Sequence, residues 1–469
     1  NYLYNSPWYD FQRAFIKIGE VMSGNMYWGS SPYLTFTTNG SDADLVNMSY
    51  SLWSVNAHAN TVISNVLNSE GPSQAAKNKA IGEALTWKAM AYFYMVRTFG
   101  EVPIVHDNNA ILTSGTYNDL YKADRASVYE YIIMTLEKAM ELLPKQTSGW
   151  NGRIDYYSAE GLLAKVYLTR AGLSGTLNND DLKKAAEYAR LAIETSGKTP
   201  LTEAQWTDPT MAFCDAAGNN SWMWYVPQSP EGVTNLVNFV AWRSCEATWG
   251  YGQLVQQGVH VNFYNRMSDT DWRKRAFIGP DPDAWYAENT AISNFNAANF
   301  GVEKFSDYFS PYASVKFRPM NGETLDSKSG NPTSVCMMRV EEMILTEIEA
   351  LAHTNPAEAA AKLQAFGQTR DPQYTVMATT SEDVVEAAIW QKRIELWGEG
   401  IVFYDFKRLN YGIQNGYKES NVPTTSKINT NGRAPWWNWV IPEQETQQNT
   451  ILKTTNNPEV SSLVEPWAE

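Results

Sequence analysis

Four short stretches of the chain combine flat aromatic rings with polar neighbours in loop-like surroundings: Tyr27-Trp28, Trp242-Arg243, Trp249-Gly250-Tyr251 and Trp285-Tyr286. An indole or phenol offers an apolar face and a hydrogen-bonding edge. A pyranose ring has the complementary build, with axial C–H groups on its face and hydroxyls around its rim. These eight candidates, Tyr27, Trp28, Trp242, Arg243, Trp249, Tyr251, Trp285 and Tyr286, are therefore expected to form sugar-binding platforms. The first pair lies in an early Gly/Ser-rich stretch and the last follows the turn Gly279-Pro280-Asp281-Pro282.

The chain has 18 Trp, 26 Tyr and 17 Phe, so most rings must be core, where large aromatics dominate buried area. Trp53, Trp87, Trp390 and Trp397 fall on helical periodicity and are expected inside. Trp222 and Trp224 alternate around Met223 and read as a buried strand. Trp436-Trp437-Asn438-Trp439, beside Ile441-Pro442, reads as packing, while Trp206 and Trp272 fall in the irregular central stretch.

Paired acids are the other chemistry to weigh, because two carboxylates can cleave a glycosidic bond. Glu341 and Glu342, Asp269 and Asp271, and Glu395 and Glu399 are the pairs available. Glu395 and Glu399 are four apart, about 6 Å on one helix face, beside Arg393, which reads as solvated or salt-bridged acids rather than a catalytic pair. Asp405 and Arg408 read likewise as a local ion pair. The histidines His58, His106, His260 and His353 are scattered without HxxxH spacing, and neither a GxSxG elbow nor a P-loop occurs. No catalytic residue, metal site or cofactor is expected. Asp269-Thr270-Asp271 lacks the Gly and distal Glu of an EF-hand loop, and a structural calcium on irregular loop oxygens would leave no mark in the sequence.

The elements that position these residues read as helices. Leu85, Ala89, Tyr92, Val96 and Phe99 share one helical face, and the same period recurs at Val128–Leu143, Leu182–Ile193 and Met337–Leu351. Asn355-Pro356-Ala357-Glu358 and Ser381-Glu382-Asp383 open helices, and Gly100 with Pro103 stops one. Ala139-Met140-Glu141 and Ala192-Ile193-Glu194 hold equivalent places near two helix ends, which points to degenerate helix-pair repeats of tetratricopeptide type. Small residues such as Ala84, Ala89, Ala91, Ala159 and Ala164 let such helices approach closely. Residues 200 to 335 instead carry Gly, Pro and Asn/Asp/Ser clusters with many aromatics, the pattern of loops and short elements.

With 37 basic against 51 acidic residues the net charge is -14, so the chain lacks the cationic field that nucleic acid requires. Cys214, Cys245 and Cys336 are odd in number and lack metal or CxxC spacing, so no disulfide framework is implied. No run of about 18 apolar residues could span a bilayer, no signal-peptide pattern opens at Asn1, and the chain reads as mature and soluble.

One stretch is more distinctive than the rest. Gln391-Lys392-Arg393-Ile394-Glu395-Leu396-Trp397-Gly398-Glu399-Gly400 runs into Phe403-Tyr404-Asp405-Phe406-Lys407-Arg408-Leu409, with Val440-Ile441-Pro442-Glu443-Gln444-Glu445 later. Earlier blocks are Lys88-Ala89-Met90-Ala91-Tyr92-Phe93-Tyr94 leading to Phe99-Gly100-Glu101-Val102-Pro103, Arg125-Ala126-Ser127-Val128-Tyr129 with Leu143-Pro144, Gly152-Arg153 before Ala159–Leu168, and Arg339–Leu345. In this order the blocks resemble the SusD/RagB family of bacterial outer-membrane nutrient-binding lipoproteins. The resemblance implies a mainly α, tetratricopeptide-like helical repeat scaffold with a loop-rich irregular lobe. We expect one unit over 1–469, with the scaffold at 43–200 and 335–410, the ligand-binding lobe at 200–335 and a C-terminal extended segment at 411–469.

It further implies a non-catalytic, cell-surface glycan-binding protein, exported and lipid-anchored through a cysteine upstream of Asn1, that passes oligosaccharide to a TonB-dependent, SusC-like transporter. Because the family's binding loops vary, no ligand residue carries over from it. The alternatives are a helical glycoside hydrolase, which would release product, and a repeat-type adaptor that binds peptide or protein along its helical groove.

Overall fold

The computed structural model describes residues 25–28, 40–41, 43–116, 120–145, 152–208, 220–226, 257–292, 296–317, 334–377, 380–424, 427–433 and 437–453. Five long helices build the first half, with a short helix Asn108–Ser114 after the second: α1 (Ala43–Leu67), α2 (Gln74–Thr98), α3 (Arg125–Leu142), α4 (Tyr156–Arg170) and α5 (Asn179–Ser196). Each packs on the next. Four more follow the central region: α6 (Val340–Thr354), α7 (Pro356–Gln368), α8 (Ser381–Glu395) and α9 (Val402–Arg408). Helix α6 packs against α5, so the array continues across an insertion of more than a hundred residues. The molecule is mainly helical, as its sequence periodicity requires.

Local chemistry sets the ends. Asp155 and Ser158 form a reciprocal capping box on α4, Thr380 and Asp383 do the same on α8, and Asn355 caps α7 with Pro356 at its first position. Gly100, at φ 87°, turns the chain out of α2. A Cβ at Gly82 would meet Leu143 Cγ at 2.7 Å, so α2 and α3 approach more closely than any other residue there would allow. Buried Lys88 of α2 spends its donors on Asn60 Oδ1 and the carbonyls of Val105 and His106, which fixes the loop after Gly100.

The helix expected from Met337 begins three residues later. Strand β4 (Val335–Arg339) occupies that stretch, and Arg339, extended at φ −139°, is the N-cap of α6. Spacing alone could not separate the two because Met337 and Val340 are buried or half-buried in either case. β4 pairs antiparallel with β2 (Trp222–Val226), so the central region leaves and rejoins the helices through a two-stranded neck. A second ribbon joins β1 (Met26–Trp28) to β3 (Gln257–Val259).

One large core cluster fills the helical array, a second joins Trp206, Trp222, Trp272, Phe277, Phe317 and Trp397, and a third lies around Trp285 and Phe305. Trp222, Trp224, Trp437 and Trp439 are buried as expected, and Trp53, Trp87 and Trp390 are half-buried against the cores. Trp436 lies outside the described residues. Among the described residues no helix is long and apolar enough to cross a membrane.

Glu160 of α4 is buried, and one of its carboxylate oxygens accepts no hydrogen bond among the described residues. Burial pushes its pKa up to about 7, with Lys145 and Tyr156 opposing. The native state therefore holds a proton that the unfolded chain releases above its ordinary value of 4.5, and stability falls as pH rises from there to about 7. Glu160→Gln is expected to match the parent at pH 4 and to be more stable at pH 8 by about 1 kcal/mol, after discounting for solvent screening. Urea titrations at both values check this, and equal stability at pH 8 would show that the carboxyl is solvated.

Candidate functional site

The β1–β3 ribbon ties the strand that carries Tyr27 and Trp28 to the central region. Asn25, at the start of β1, is buried and held from two sides. Its carbonyl accepts from Trp397 Nε1 at 3.0 Å and from the His260 amide at 3.0 Å, while its side-chain oxygen accepts from Arg393 Nε at 2.7 Å. Arg393 and Trp397 belong to the distinctive stretch of the sequence, so that block anchors the N-terminal strand onto the central region. The register sets Tyr27 opposite Gly258 and Trp28 opposite Gln257, six positions after Tyr251 in the chain. Trp242, Arg243, Trp249 and Tyr251 lie outside the described residues.

Beside β3 lies a tyrosine group that sequence reasoning missed. The Val259 amide donates to Tyr312 O at 2.7 Å, and the Tyr312 amide donates to Ile278 O at 3.0 Å. Between these bonds Tyr312 is held at φ 64°, a left-handed conformation uncommon for a bulky side chain and concentrated at functional positions. Its ring meets Tyr264 edge-on at 5.6 Å. Tyr417, also half-buried, places its hydroxyl 3.1 Å from His260 Nδ1. Burial, then the charge of Arg393, lowers the His260 pKa to about 4, so the imidazole is neutral at ordinary pH and its tautomer can adapt to the Tyr417 hydroxyl. Only the three-dimensional placement unites Tyr264, Tyr312 and Tyr417, which are far apart in sequence.

Trp285 and Tyr286 sit on the short helix Pro282–Glu288, capped by Asp281. The expectation of an open ring at Trp285 is corrected here: only 7% exposed, it packs with Ile278, Ile292, Phe305 and Phe309. Its position on the inward face of a short amphipathic helix is the reason. Tyr286 is half-buried, and its ring stacks on Phe305 at 4.6 Å with 4° between planes; Phe305 in turn stacks on Phe309 at 4.3 Å. This ring stack backs an open groove of about 730 Å³ that Asp283, Asn296 and Lys304 also line. Asp283 accepts from Ser306 Oγ at 2.6 Å and from the Ser306 amide at 2.8 Å, and those bonds hold its carboxyl below the usual range. An aromatic wall beside fixed polar groups suits a polyhydroxylated ring.

The paired acids are spent on cations. Asp269 contacts Lys274 at 2.6 Å, Asp271 contacts Arg273 at 2.6 Å, and Glu342 contacts Lys165 at 2.6 Å. Glu395 and Glu399 do not share a helix face, because α8 ends at Glu395 and Gly398 and Gly400 both take φ 77°. Both are instead bound to Arg339, at 2.8 and 2.9 Å, in a buried network. Asp405 and Arg408 form the expected pair at 2.8 Å. Among the described residues no group of three or more His, Cys, Asp or Glu could hold a metal ion, and Cys336 carries a free thiol.

Two family models match the chain. One, described as starch-binding and associating with the outer membrane, covers residues 11–168, and the SusD family model covers residues 255–461. The chain belongs to the SusD/RagB family. A SusD-like protein of Bacteroides ovatus is 36% identical over 208 residues, which is 43% of this chain and 37% of that relative's length. SusD-like protein P2 of Formosa agariphila is 23% identical over 447 residues, 86% of this chain and 84% of that one. A crystal structure with xylogluco-oligosaccharide superposes with TM-score 0.74 at 22% identity, covering 97% of each chain. A SusD-like carbohydrate-binding protein of Bacteroides vulgatus superposes with TM-score 0.74 at 19% identity, covering 96% of this chain and 93% of that one. The likeness in fold thus extends over nearly the whole chain.

Proposed function

We propose that this SusD-family chain is a non-catalytic, lipid-anchored glycan-binding protein of the outer-membrane surface that captures oligosaccharide and delivers it to a TonB-dependent, SusC-like transporter. The observation that carries the reading is the β1–β3 ribbon: family-matched residues Arg393 and Trp397 hold Asn25, and the strand that follows, with Tyr27 and Trp28, pairs with Gln257–Val259 of the central region. The xylogluco-oligosaccharide in a structural relative supports a glycan as the ligand. The occupied state of the paired carboxylates supports capture over cleavage, since a general acid must be free to give its proton.

Each ring stack contributes about 0.5 to 1.5 kcal/mol. Two or three of them with a few hydroxyl hydrogen bonds give an affinity from about millimolar to micromolar, weak enough for capture followed by release. Trp28→Ala and Tyr286→Ala are each expected to weaken glycan binding about tenfold, the second with a stability loss of about 1 kcal/mol from its lost stack on Phe305. Calorimetry across starch, β-glucan, xylan, mannan, xyloglucan and host-type glycans, with reducing ends assayed in the same mixtures, tests this. Binding without new ends is the expected result. Released ends abolished by one carboxylate substitution would overturn it, and unchanged affinity in both variants would remove these residues from the site.

A further inference from the structure

At the C-terminal end of α2 four cationic side chains gather: Arg97, Arg125, Lys407 and Arg433. Lys407 of α9 is buried and donates to the Arg97 carbonyl, while Arg433 donates to the Lys407 carbonyl at 3.4 Å. The Arg97 guanidinium lies over the rings of Phe93 and Tyr404, at 3.7 and 4.1 Å from their centroids. Burial, and then the charges of Arg433, Arg125 and Arg97, depress the Lys407 pKa well below its ordinary value. Among the described residues no carboxylate pairs with any of the four.

By contrast, the buried guanidiniums of Arg273, Arg339 and Arg370, and that of half-buried Arg408, each contact a carboxylate. A helix C-terminus supplies only about half a negative charge, so among the described residues most of the positive charge here has no carboxylate partner, and exposed Arg125 and Arg433 present it to solvent.

The cluster borders an open cleft of about 580 Å³ lined by Arg125, Lys122, Glu101 and Asn438. Glu101 lies 3.6 Å from Lys122 and partly neutralises it, so exposed Arg125 is the principal unspent donor. Across Phe99 and Ile441 the cleft adjoins an aromatic pocket of about 350 Å³ that includes Tyr50, Trp53 and Pro442. Tyr50 is 62% exposed, and Trp53, one turn further along α1, is braced edge-on by Tyr92. Cationic donors with a planar fork and an aromatic wall therefore sit side by side, and none of these residues is among the loop candidates.

We infer that this seam is a second glycan site, selective for an anionic saccharide whose sugar ring stacks at Tyr50 and Trp53 while its carboxylate or sulfate group takes the Arg125 guanidinium. A planar guanidinium binds either oxyanion through paired N–H donors, and the surrounding positive charge makes such binding fall as salt rises. The inference rests on the glycan-binding reading for its ligand class but uses none of the loop residues.

The test is calorimetry at low and high salt with a trigalacturonate, a sulfated galactan trisaccharide and a neutral xyloglucan heptasaccharide. Parent, Arg125→Ala, Arg433→Ala and Trp28→Ala proteins are compared, with thermal melts confirming that each is folded. An anionic oligosaccharide is expected to bind with an affinity that salt weakens, that Arg125→Ala lowers at least tenfold and that Trp28→Ala leaves unchanged. Whether the uronate or the sulfate binds identifies the source of the charge. The inference is overturned if neither anionic oligosaccharide binds, if Arg125→Ala and Arg433→Ala are both without effect, or if inorganic sulfate alone binds as tightly. Loss of all binding in Trp28→Ala with none in Arg125→Ala would leave the loop site standing and remove the seam. Anionic binding that depends on Arg125, with no neutral binding at all, would do the reverse.

Discussion

Replacing Glu395 with Gln is expected to lower the unfolding free energy by about 3 to 5 kcal/mol. Glu395 is fully buried, and its two oxygens contact Arg339 at 2.8 Å, Arg273 at 2.9 Å and Arg370 at 3.2 Å. Burial alone would raise its pKa, but the charges of Arg370, Arg339 and Arg273 outweigh that and hold the carboxyl well below the usual range. A glutamine keeps the shape and one acceptor but leaves three buried guanidiniums short of one negative charge. That uncompensated charge, more than the lost attraction, is the source of the expected penalty.

The same network shows why the cost is global. Arg339 at the end of β4 also reaches Glu341 at 3.1 Å and Glu399 at 2.9 Å. Glu341 accepts from the Leu201 amide at 2.7 Å and from Ser221 Oγ, while Lys316 contacts Glu399 at 2.8 Å and the Trp397 carbonyl at 2.7 Å. Segments on both sides of the neck are thus tied to the C-terminal helices through one charge-balanced centre. Because the Glu395 carboxyl is depressed, its contribution is present above the ordinary glutamate value and is lost as pH falls through the lower native one. The difference between parent and Glu395→Gln in urea titrations should therefore be full at pH 7 and shrink on strong acidification. A loss below about 1 kcal/mol at pH 7 would mean that water reaches the cluster and the pair acts as a surface bridge.

What could be read from the sequence follows from where structure is local. The faces of α2, α3 and α5 are set by a 3.6-residue period that their own residues carry, so their existence and inward sides were legible. The start of α6 was not, since Met337 serves a strand whose partner, β2, lies over a hundred residues away. The spacing of Glu395 and Glu399 implied a shared helix face, yet the helix ends at Glu395, Gly398 turns the chain at positive φ before Glu399, and the two carboxylates meet through Arg339. Tyr286, singled out from its turn context, lines the groove beside Phe305. Burial of Trp285 depended on Phe305 and Phe309, twenty or more positions onward. Tyr312 carries no local mark at all, because its left-handed backbone is imposed by bonds to Val259 and Ile278.

Trp397→Ala is expected to destabilise by about 3 to 5 kcal/mol, the cost of a large core truncation. Sequence reading placed Trp397 in the core on helical grounds. The structure puts it just beyond α8, fully buried, with its ring edge-on to Phe277 at 4.9 Å. Gly398 supports this placement, since a Cβ there would meet the Phe317 ring at 2.5 Å. The indole has a second task that the alanine variant cannot separate from packing, because its Nε1–H donates to the Asn25 carbonyl that starts β1. Trp397→Phe keeps most of the apolar volume and deletes that donor, while Arg393 and the His260 amide still hold Asn25. The phenylalanine variant should therefore lose only about 1 to 2 kcal/mol of stability yet weaken glycan binding severalfold, because Tyr27 and Trp28 ride on the strand it no longer pins. If Trp397→Phe binds glycan as the parent does, β1 is positioned by its pairing with β3 alone; if Trp397→Ala unfolds like the parent, the second core does not depend on this ring.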